Sequence, residues 1–326
     1  MRRRDFIHGI AASAVWPLVA RAQQVAMPVI GLVGTSREAL DIRLGIFREG
    51  LKDAGFIEGQ NVAIEYRWSE GQTDRLPKLT AELVRRPVAV IVAASGTPGA
   101  MAAKAATATI PVVFAVSIDP VKAGLVASLN RPGENLTGVT NLNVEIGPKR
   151  LELLHALMPT ATIFGVLVDP TSRGLSDPFV SAVQTAAEDL GLKIHVLHAT
   201  TERDFEAVFA SLAQFRVSGL IIGPSSNYVG RVERLAALAA HHAIPAVFQF
   251  RTFTAAGGLL SYGSDEAEYY RMVGNITGRI LKGELPAEIP VQQSTKVELI
   301  INLKTAKALG ITIPLTLLGR ADETIE

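Results

Sequence analysis

The stretch IPVVFAVS at residues 110–117 has a close counterpart in IPAVFQFR at residues 244–251. Each is a short apolar run, which is typical of a strand buried on both faces of a sheet. The loops repeat as well, since GTSR at 34–37 has a counterpart in PTSR at 170–173. The two offsets are 134 and 136 residues. A nearly constant offset indicates that the chain contains two similar units in succession.

Helical patterns separate the predicted strands in both units. In the first helix Leu40, Leu44, Phe47 and Leu51 recur at spacings of four, three and four residues, which places them on one helical face. Apolar strands that alternate with amphipathic helices predict an α/β fold with parallel sheets covered on both faces. We therefore predict two Rossmann-like, doubly wound parallel-sheet lobes joined by a multi-strand hinge, with 26–141 and about 262–290 in lobe 1, and 142–258 and about 291–326 in lobe 2.

The overall composition is that of an ordinary globular protein. Of the 326 residues, 48% are hydrophobic and 19% are charged, and the length suits two domains better than one. The net charge of +1 offers no basic surface for nucleic acid. The chain has no cysteine, which excludes disulfides, thiolate nucleophiles, cysteine-ligated zinc and a lipid-modified N-terminal cysteine.

The first 24 residues, MRRRDFIHGIAASAVWPLVARAQQ, have the pattern of an export signal. Three arginines precede an apolar stretch at 9–20, and Ala20-Arg21-Ala22 has the small-x-small form of a cleavage site. The apolar stretch is shorter than the roughly 20 residues that a membrane-spanning helix needs. The pattern predicts a signal peptide over 1–22, and RRDFI resembles a twin-arginine signal. An ordinary export route and an ordinary N-terminal helix are the alternatives.

Cleavage near Ala22 would change the charge of the protein. It removes four of the 32 basic residues and one of the 31 acidic residues, which leaves 28 against 30 and a formal charge of −2. We therefore predict a near-neutral protein of the periplasm that has no stable membrane insertion.

Small polar residues follow several of the predicted strands. In open α/β sheets, ligands bind beyond the carboxyl ends of the strands, where loops lead into helix N-termini. Free N–H groups there attract a carboxylate, hydroxyl groups add hydrogen-bond donors, and glycine lets the backbone approach a ligand closely. The candidate ligand-binding residues on these loops are Thr35, Ser36, Ser95, Gly96, Thr97, Ser117, Asp119, Asp169, Thr171, Ser172, Ser225, Ser226, Asn227 and Arg251.

Each type of candidate residue has an alternative structural role. The Ser and Thr residues also suit plain helix N-caps. Asp119 and Asp169 suit either an ammonium group or a turn, and Arg251 suits either an acidic ligand group or a contact between lobes. Aromatic side chains that would provide a flat wall for a ring are Tyr66, Tyr228, Phe250 and Tyr262, of which Phe250 fits a buried strand better.

Several motifs of catalysis and cofactor binding are absent from the sequence. There is no G-x-G-x-x-G, no Walker-type phosphate loop and no G-x-S-x-G. His195 and His198 would lie on opposite faces of a strand, and His241 and His242 would lie at the end of a helix, so neither pair suits a metal. We therefore predict no metal, no cofactor and no enzymatic activity.

Four stretches of the chain closely resemble a known family. They are AGFIEGQNVAIEYRWSEG at 54–71, the segment from VAASGTPGA to NLTGV at 92–139, AAGGLLSYG at 255–263 and INLKTAKALGITIP at 301–314. They resemble ABC-transporter substrate-binding proteins related to tryptophan and tyrosine uptake proteins. The resemblance covers essentially the whole mature chain and implies the type I periplasmic binding protein fold, with a ligand in the cleft between two lobes.

The resemblance also implies a function. Such proteins capture a small solute and deliver it to a membrane permease and its ATPase. The loops matching 95–97 and 117–119 would face an aromatic amino acid, and the loop at 225–227 would match a Thr-Asp-Asn type sequence. Here that loop reads Ser225-Ser226-Asn227, without the acidic residue, so both an aromatic amino acid and an aromatic or other organic acid are expected ligands.

Two other classes of function remain open at this stage. A ligand-sensing domain that contacts a membrane receptor or kinase would have the same fold, and an exported enzyme is the third possibility. A sugar-responsive repressor would need an N-terminal helix-turn-helix in the place of the predicted signal peptide. We expect a monomer without a nucleic-acid partner.

Overall fold

A computed structural model describes residues 27–141 and 143–326. The predicted signal peptide and its cleavage site lie outside the described residues. The described strands are β1 Val29–Gly34, β2 Ala63–Trp68, β3 Val90–Ala93, β4 Val112–Val116, β5 Leu136–Asn141, β6 Ile163–Val168, β7 Lys193–His198, β8 Gly219–Ile222, β9 Ala246–Phe248, β10 Leu260–Ser264, β11 Gln292–Ser294, β12 Val297–Asn302 and β13 Glu323–Ile325.

Helices follow most of these strands. They are α1 Arg37–Asp53, α2 Leu76–Val84, α3 Gly96–Ala106, α4 Gly147–Leu157, α5 Arg173–Asp189, α6 Glu202–Ser211, α7 Ser226–Val229, α8 Val232–His241, α9 Arg251–Ala255, α10 Glu266–Leu281, α11 Leu303–Ala308 and α12 Leu315–Leu318, with short 3₁₀ turns at Thr73–Arg75 and Pro286–Glu288. Within the described part of the chain, no helix is both long enough and apolar enough to span a membrane.

The strands form two sheets with the same internal order. The first sheet has the order β11-β5-β4-β3-β1-β2, and the second has the order β13-β12-β10-β9-β8-β6-β7. The strands β5-β4-β3-β1-β2 correspond one for one to β10-β9-β8-β6-β7, so the two stretches that open the sequence analysis are equivalent strands, β4 and β9. All pairs are parallel except β10 with β12. The predicted pair of doubly wound α/β lobes is confirmed.

The chain crosses between the sheets three times. The crossings lie between β5 and α4, between β10 and α10, and between β11 and β12. Because β10 pairs with β9, the second crossing follows Ser264, a little later than the predicted 262. Because β11 pairs with β5, Ser294 still belongs to the first sheet, a little beyond the predicted 290.

The buried side chain of Arg150 in lobe 2 contacts two of the three crossings. Arg150 of α4 donates to the carbonyl oxygen and the side-chain Oδ1 of Asn143, at 2.9 and 3.0 Å, and to the carbonyl oxygen of Tyr262 at 2.7 Å. Asn143 Oδ1 also accepts the backbone N–H of Ser264. The first and second crossings are therefore held against each other by one side chain.

Glycines allow α1 and α10 to pack closely in lobe 1. A Cβ atom on Gly274 of α10 would lie 2.2 Å from the carbonyl oxygen of Phe47 in α1. The Gly274→Ala variant is therefore expected to lower the free energy of unfolding by about 2 kcal/mol or more, because two backbones must separate. Urea denaturation measures this. Gly45→Ala in α1, with nothing within 4 Å of its Cβ, is the control and should be neutral or slightly stabilising.

Candidate functional site

A cavity lies between the two lobes at the carboxyl ends of their strands. The cavity volume in this structure is about 50 Å³. Six predicted residues line it, four from lobe 1 and two from lobe 2. They are Thr35, Gly96, Thr97 and Ser117 of lobe 1, and Ser225 and Ser226 of lobe 2.

The loop after β3 contacts lobe 2 directly. Ser226 Oγ of lobe 2 donates to the carbonyl oxygen of Ser95 in lobe 1 at 3.3 Å. Gly96 has a φ of +71°, and a Cβ atom there would lie 2.9 Å from Ser226 Oγ. Gly96 is therefore needed both for the left-handed backbone and for the close approach of the lobes.

Two side chains of the lining have buried polar atoms without a hydrogen-bond partner. Thr97 Oγ1 and Gln249 Oε1 are both of this kind. Gln249 is only 3% exposed, so its amide is shielded from bulk solvent. Buried polar groups are normally paired, and leaving one unpaired costs about 1–3 kcal/mol. These atoms are therefore suited to hydrogen bonds with a bound ligand.

Ser95 occupies a different position from Thr97. Its Oγ is also buried without a partner, but it lies over the first turn of α3, where a Cβ on Gly99 would be 2.1 Å away. Ser95 is absent from the side chains that line the cavity in the described structure. Its backbone carbonyl, which meets Ser226, is its contribution to the cleft.

Asp169 supports the lobe 2 loops from behind the cavity. It is 1% exposed, its Oδ2 accepts Ser225 Oγ at 2.8 Å, and its Oδ1 accepts the N–H and Oγ1 of Thr171 at 2.9 and 2.7 Å. Its carboxylate is thus engaged by its own lobe. Asp169 positions Ser225, which caps α7 by accepting the N–H of Asn227 at 3.1 Å.

The remaining predicted residues lie outside the cavity lining. Asp119 Oδ1 caps a turn by accepting the N–H groups of residues 121 and 122. Ser172 is the residue before α5, while Ser36 and Asn227 line the outer mouth of the cleft. Arg251 is the first residue of α9 and forms an exposed ion pair with Glu323, with Nε 2.7 Å from Oε2. This pair places the guanidinium away from the cavity.

The four aromatic candidates lie in different parts of the structure. Phe250 lines the cavity, whereas Tyr228 is fully buried in the core of lobe 2 and donates to the carbonyl oxygen of Ala199 at 2.8 Å. Tyr66 stacks on Trp68, with 5.5 Å between ring centroids. Tyr262 takes part in the hinge through its carbonyl oxygen.

Four polar side chains of the lining come from outside the strand-end loops at which the sequence predicts a site. They are Arg43 of α1, Asn141 of β5, and Tyr269 and Tyr270 of α10. Asn141 Oδ1 accepts the N–H of Asn143 at 3.2 Å, which fixes its amide beside the cavity. Burial raises the pKa of Tyr269 well above its usual value, so its hydroxyl stays protonated and donates to the carbonyl oxygen of Val116 at 2.9 Å.

Arg43 was detectable from its position in the helical pattern. It lies three residues after Leu40 and four before Phe47, at the edge of the apolar stripe of α1, where a charged side chain is unusual. Its Nε is 2.7 Å from Glu266 Oε1. Burial is the largest single influence and disfavours the charged form, but Glu266, Tyr270 and Tyr269 together outweigh it, so the pKa of Arg43 is raised.

Two similar α/β lobes with a polar cavity between them are the architecture of two-lobed binding proteins. The chain belongs to the ABC transporter substrate-binding protein family, whose model matches residues 29–325. This confirms the resemblance seen in the sequence. Among curated proteins, the chain is 28% identical to a tyrosine-binding protein of Clostridioides difficile over 266 residues, which is 81% of this chain and 75% of that protein.

Solved structures give the same result. The ABC domain of a Streptococcus pneumoniae protein in complex with L-Trp has a TM-score of 0.82 and 26% identity, covering 91% of this chain and 99% of that one. A ligand-free, open substrate-binding protein with adhesive properties from Clostridium difficile has a TM-score of 0.62 and 26% identity, covering 92% and 100%. The fold is that of type I periplasmic binding proteins, as predicted.

Proposed function

We propose that the protein is an exported solute-binding protein that captures a small organic ligand between its lobes and delivers it to an ABC permease and its ATPase. The ligand is an aromatic amino acid or an aromatic or other organic acid. The observation that carries this proposal is the interlobe cavity, in which Thr97 Oγ1 and Gln249 Oε1 are buried without partners. The names of the relatives, which are binding proteins for Tyr and Trp, support the ligand class and argue against an enzyme.

The arrangement of the lobes supports capture by closure. At the same 26% identity, the TM-score is higher with the L-Trp complex than with the open, ligand-free structure, at 0.82 against 0.62. The hydrogen bond from Ser226 to Ser95 also requires the lobes to be close. A ligand that contacts both lobes favours the closed state by its higher affinity for that state.

Ligand binding is tested on the chain beginning at Gln23. A thermal-shift panel of L-tryptophan, L-tyrosine, L-phenylalanine, aromatic acids and short organic acids is expected to raise the melting temperature with at least one compound, because only the folded protein binds it. Calorimetry then gives the dissociation constant of the best compound. A panel without any rise would contradict the proposal.

The site itself is tested by two substitutions of nearly equal volume. Thr97→Val and Gln249→Leu should each weaken binding about tenfold or more, because each removes a buried hydrogen bond to the ligand. Arg251→Ala is the control, since its ion pair with Glu323 is exposed and distant from the lining, and it should bind as the wild type. Equal affinity in all three variants would place the site elsewhere.

Delivery to a permease is tested separately from ligand binding. Genes for a permease and an ATPase beside the coding gene are expected. A neighbouring gene for a membrane kinase or chemoreceptor, with no permease gene, would favour the sensing function instead.

A further inference from the structure

One cation faces the interlobe cavity. Among the described side chains that line it, Arg43 is the one with a formal charge, while its neighbours are hydroxyls, amides and apolar groups. Arg43 is 9% exposed, so its charge is largely removed from water. A buried charge is stable only when it is paired. The groups that already contact this guanidinium therefore determine which group of a ligand it can still bind.

The guanidinium is fixed in place by three neighbours. Its Nε and Nη2 both approach Oε1 of Glu266, while Nη1 takes no part in this ion pair. The carbon atom Cζ lies 5.1 Å from the ring centroid of Phe250 and 5.4 Å from that of Tyr270. These distances are within the range of cation–π contacts. The side chain is thus held on three sides in this arrangement of the lobes.

Glu266 is absent from the lining of the cavity. Arg43 lines both the cavity and a larger groove outside it, whereas Glu266 lines only the outer groove. The two rings that contact the guanidinium, Phe250 and Tyr270, both line the cavity. An arginine has five N–H donors, so the ion pair leaves donors for a second anion.

Other donors converge on the same cavity. The N-terminus of α3 begins at Gly96, and Thr97 Oγ1 is buried there without a partner. Free N–H groups at a helix N-terminus also favour an anion. Gln249 of lobe 2 is only 3% exposed, and its Oε1 is an acceptor without a hydrogen-bond partner. The lining therefore suits a ligand with a carboxylate and a separate hydrogen-bond donor.

We propose that Arg43 is the specificity-determining residue that binds the carboxylate of the ligand, with Glu266 holding the guanidinium by an ion pair. This inference rests on the proposed function, of which it specifies the ligand class and the residue that selects it. Phe250 belongs to lobe 2, whereas Arg43, Glu266 and Tyr270 belong to lobe 1. The guanidinium therefore gains its second aromatic neighbour, Phe250, only when the lobes are close together. This links carboxylate recognition to closure.

The first test uses the wild-type chain and matched pairs of compounds. Each acid in a thermal-shift panel is paired with its carboxamide: L-tryptophan with L-tryptophanamide, L-tyrosine with L-tyrosinamide, phenylacetate with phenylacetamide and benzoate with benzamide. At least one acid is expected to raise the melting temperature while its amide does not. Equal rises with acid and amide would overturn the inference but leave the proposed function intact, whereas no rise with any compound would contradict the proposed function itself.

The second test uses variants with the acid that binds best. Arg43→Met should weaken binding about 100-fold, because truncating one partner of a buried charge pair removes the interaction. Arg43→Lys should recover part of the affinity. Arg43→Met combined with Glu266→Gln avoids an unpaired carboxylate and should fold while binding weakly. Arg48→Met, on the same helix but paired with Glu58, is the control and should bind as the wild type.

The variants also separate recognition from a purely structural contact. With Arg43→Met, the affinity for the acid should fall. The ratio of the affinities for the acid and for its amide should also fall, to about one. Wild-type affinity in Arg43→Met, or an unchanged acid preference in the folded double variant, would overturn the inference.

Discussion

Replacing Arg150 by methionine is expected to lower the free energy of unfolding by about 3 kcal/mol, because three buried acceptors lose a charged donor. Arg150 is 0% exposed and donates at 2.7–3.0 Å to oxygens of Asn143 and Tyr262. Its N–H groups donate to carbonyl and amide oxygens, and none of these three acceptors is a carboxylate oxygen. Burial lowers the pKa of Arg150 to about 9, so the guanidinium remains protonated at neutral pH.

Urea denaturation of the chain beginning at Gln23 measures this effect. Arg150→Lys keeps the charge but offers a single donor group, so we expect an intermediate loss of stability. Arg234→Met, which removes an exposed ion pair with Glu206, is the control and should change stability by less than about 1 kcal/mol. An Arg150→Met variant as stable as the control would show that the hinge does not depend on this side chain.

Gly96→Val is expected to weaken ligand binding at least about 30-fold by preventing closure of the lobes. The substitution forces a β-branched residue into a left-handed conformation, which costs about 1–2 kcal/mol. It also places a side chain 2.9 Å or less from Ser226 Oγ across the cleft. Since the ligand gains its second set of contacts only in the closed state, a wedge between the lobes lowers affinity more than stability.

A matched glycine separates the two effects. Gly124 has a φ of +69° and nothing within 4 Å of its Cβ position. Gly124→Val should therefore lose stability through backbone strain but bind with wild-type affinity in calorimetry. If both valine variants weaken binding equally, the wedge explanation for Gly96 is wrong. A Cβ atom on Gly96 already approaches Ser226 Oγ, so Gly96→Ala should also weaken binding. Adding Ser226→Ala to Gly96→Ala should then recover part of the affinity.

The repeated strands made the fold predictable from the sequence. β4 and β9 are alike because each lies inside a parallel sheet, where both faces are apolar and leave few choices of residue. The ends of equivalent strands must meet at the same edge of their sheets. This rule brought Thr97, Ser117 and Ser226 to the cavity, although their role as ligand contacts stays a prediction.

Other features of the site depend on contacts between distant segments. Arg251 begins α9 and turns towards Glu323, 72 residues later, which no local pattern indicates. Asp169 lies at a strand end as expected, but its oxygens are engaged by neighbouring lobe 2 loops. Arg43 lies on a helix rather than a loop, so a search confined to strand ends passes over it.

If a ligand closes the two lobes over the cavity, the distance between the lobes must shorten when it binds. The chain has no cysteine, so Asp74→Cys in lobe 1 and Glu233→Cys in lobe 2, both exposed, allow specific labelling with a pair of fluorophores. Single-molecule energy transfer would be recorded without and with a saturating concentration of the best compound from the panel. We expect a shift towards short distances with the ligand and a broader, longer distribution without it. Identical distributions would show that the ligand does not close the lobes.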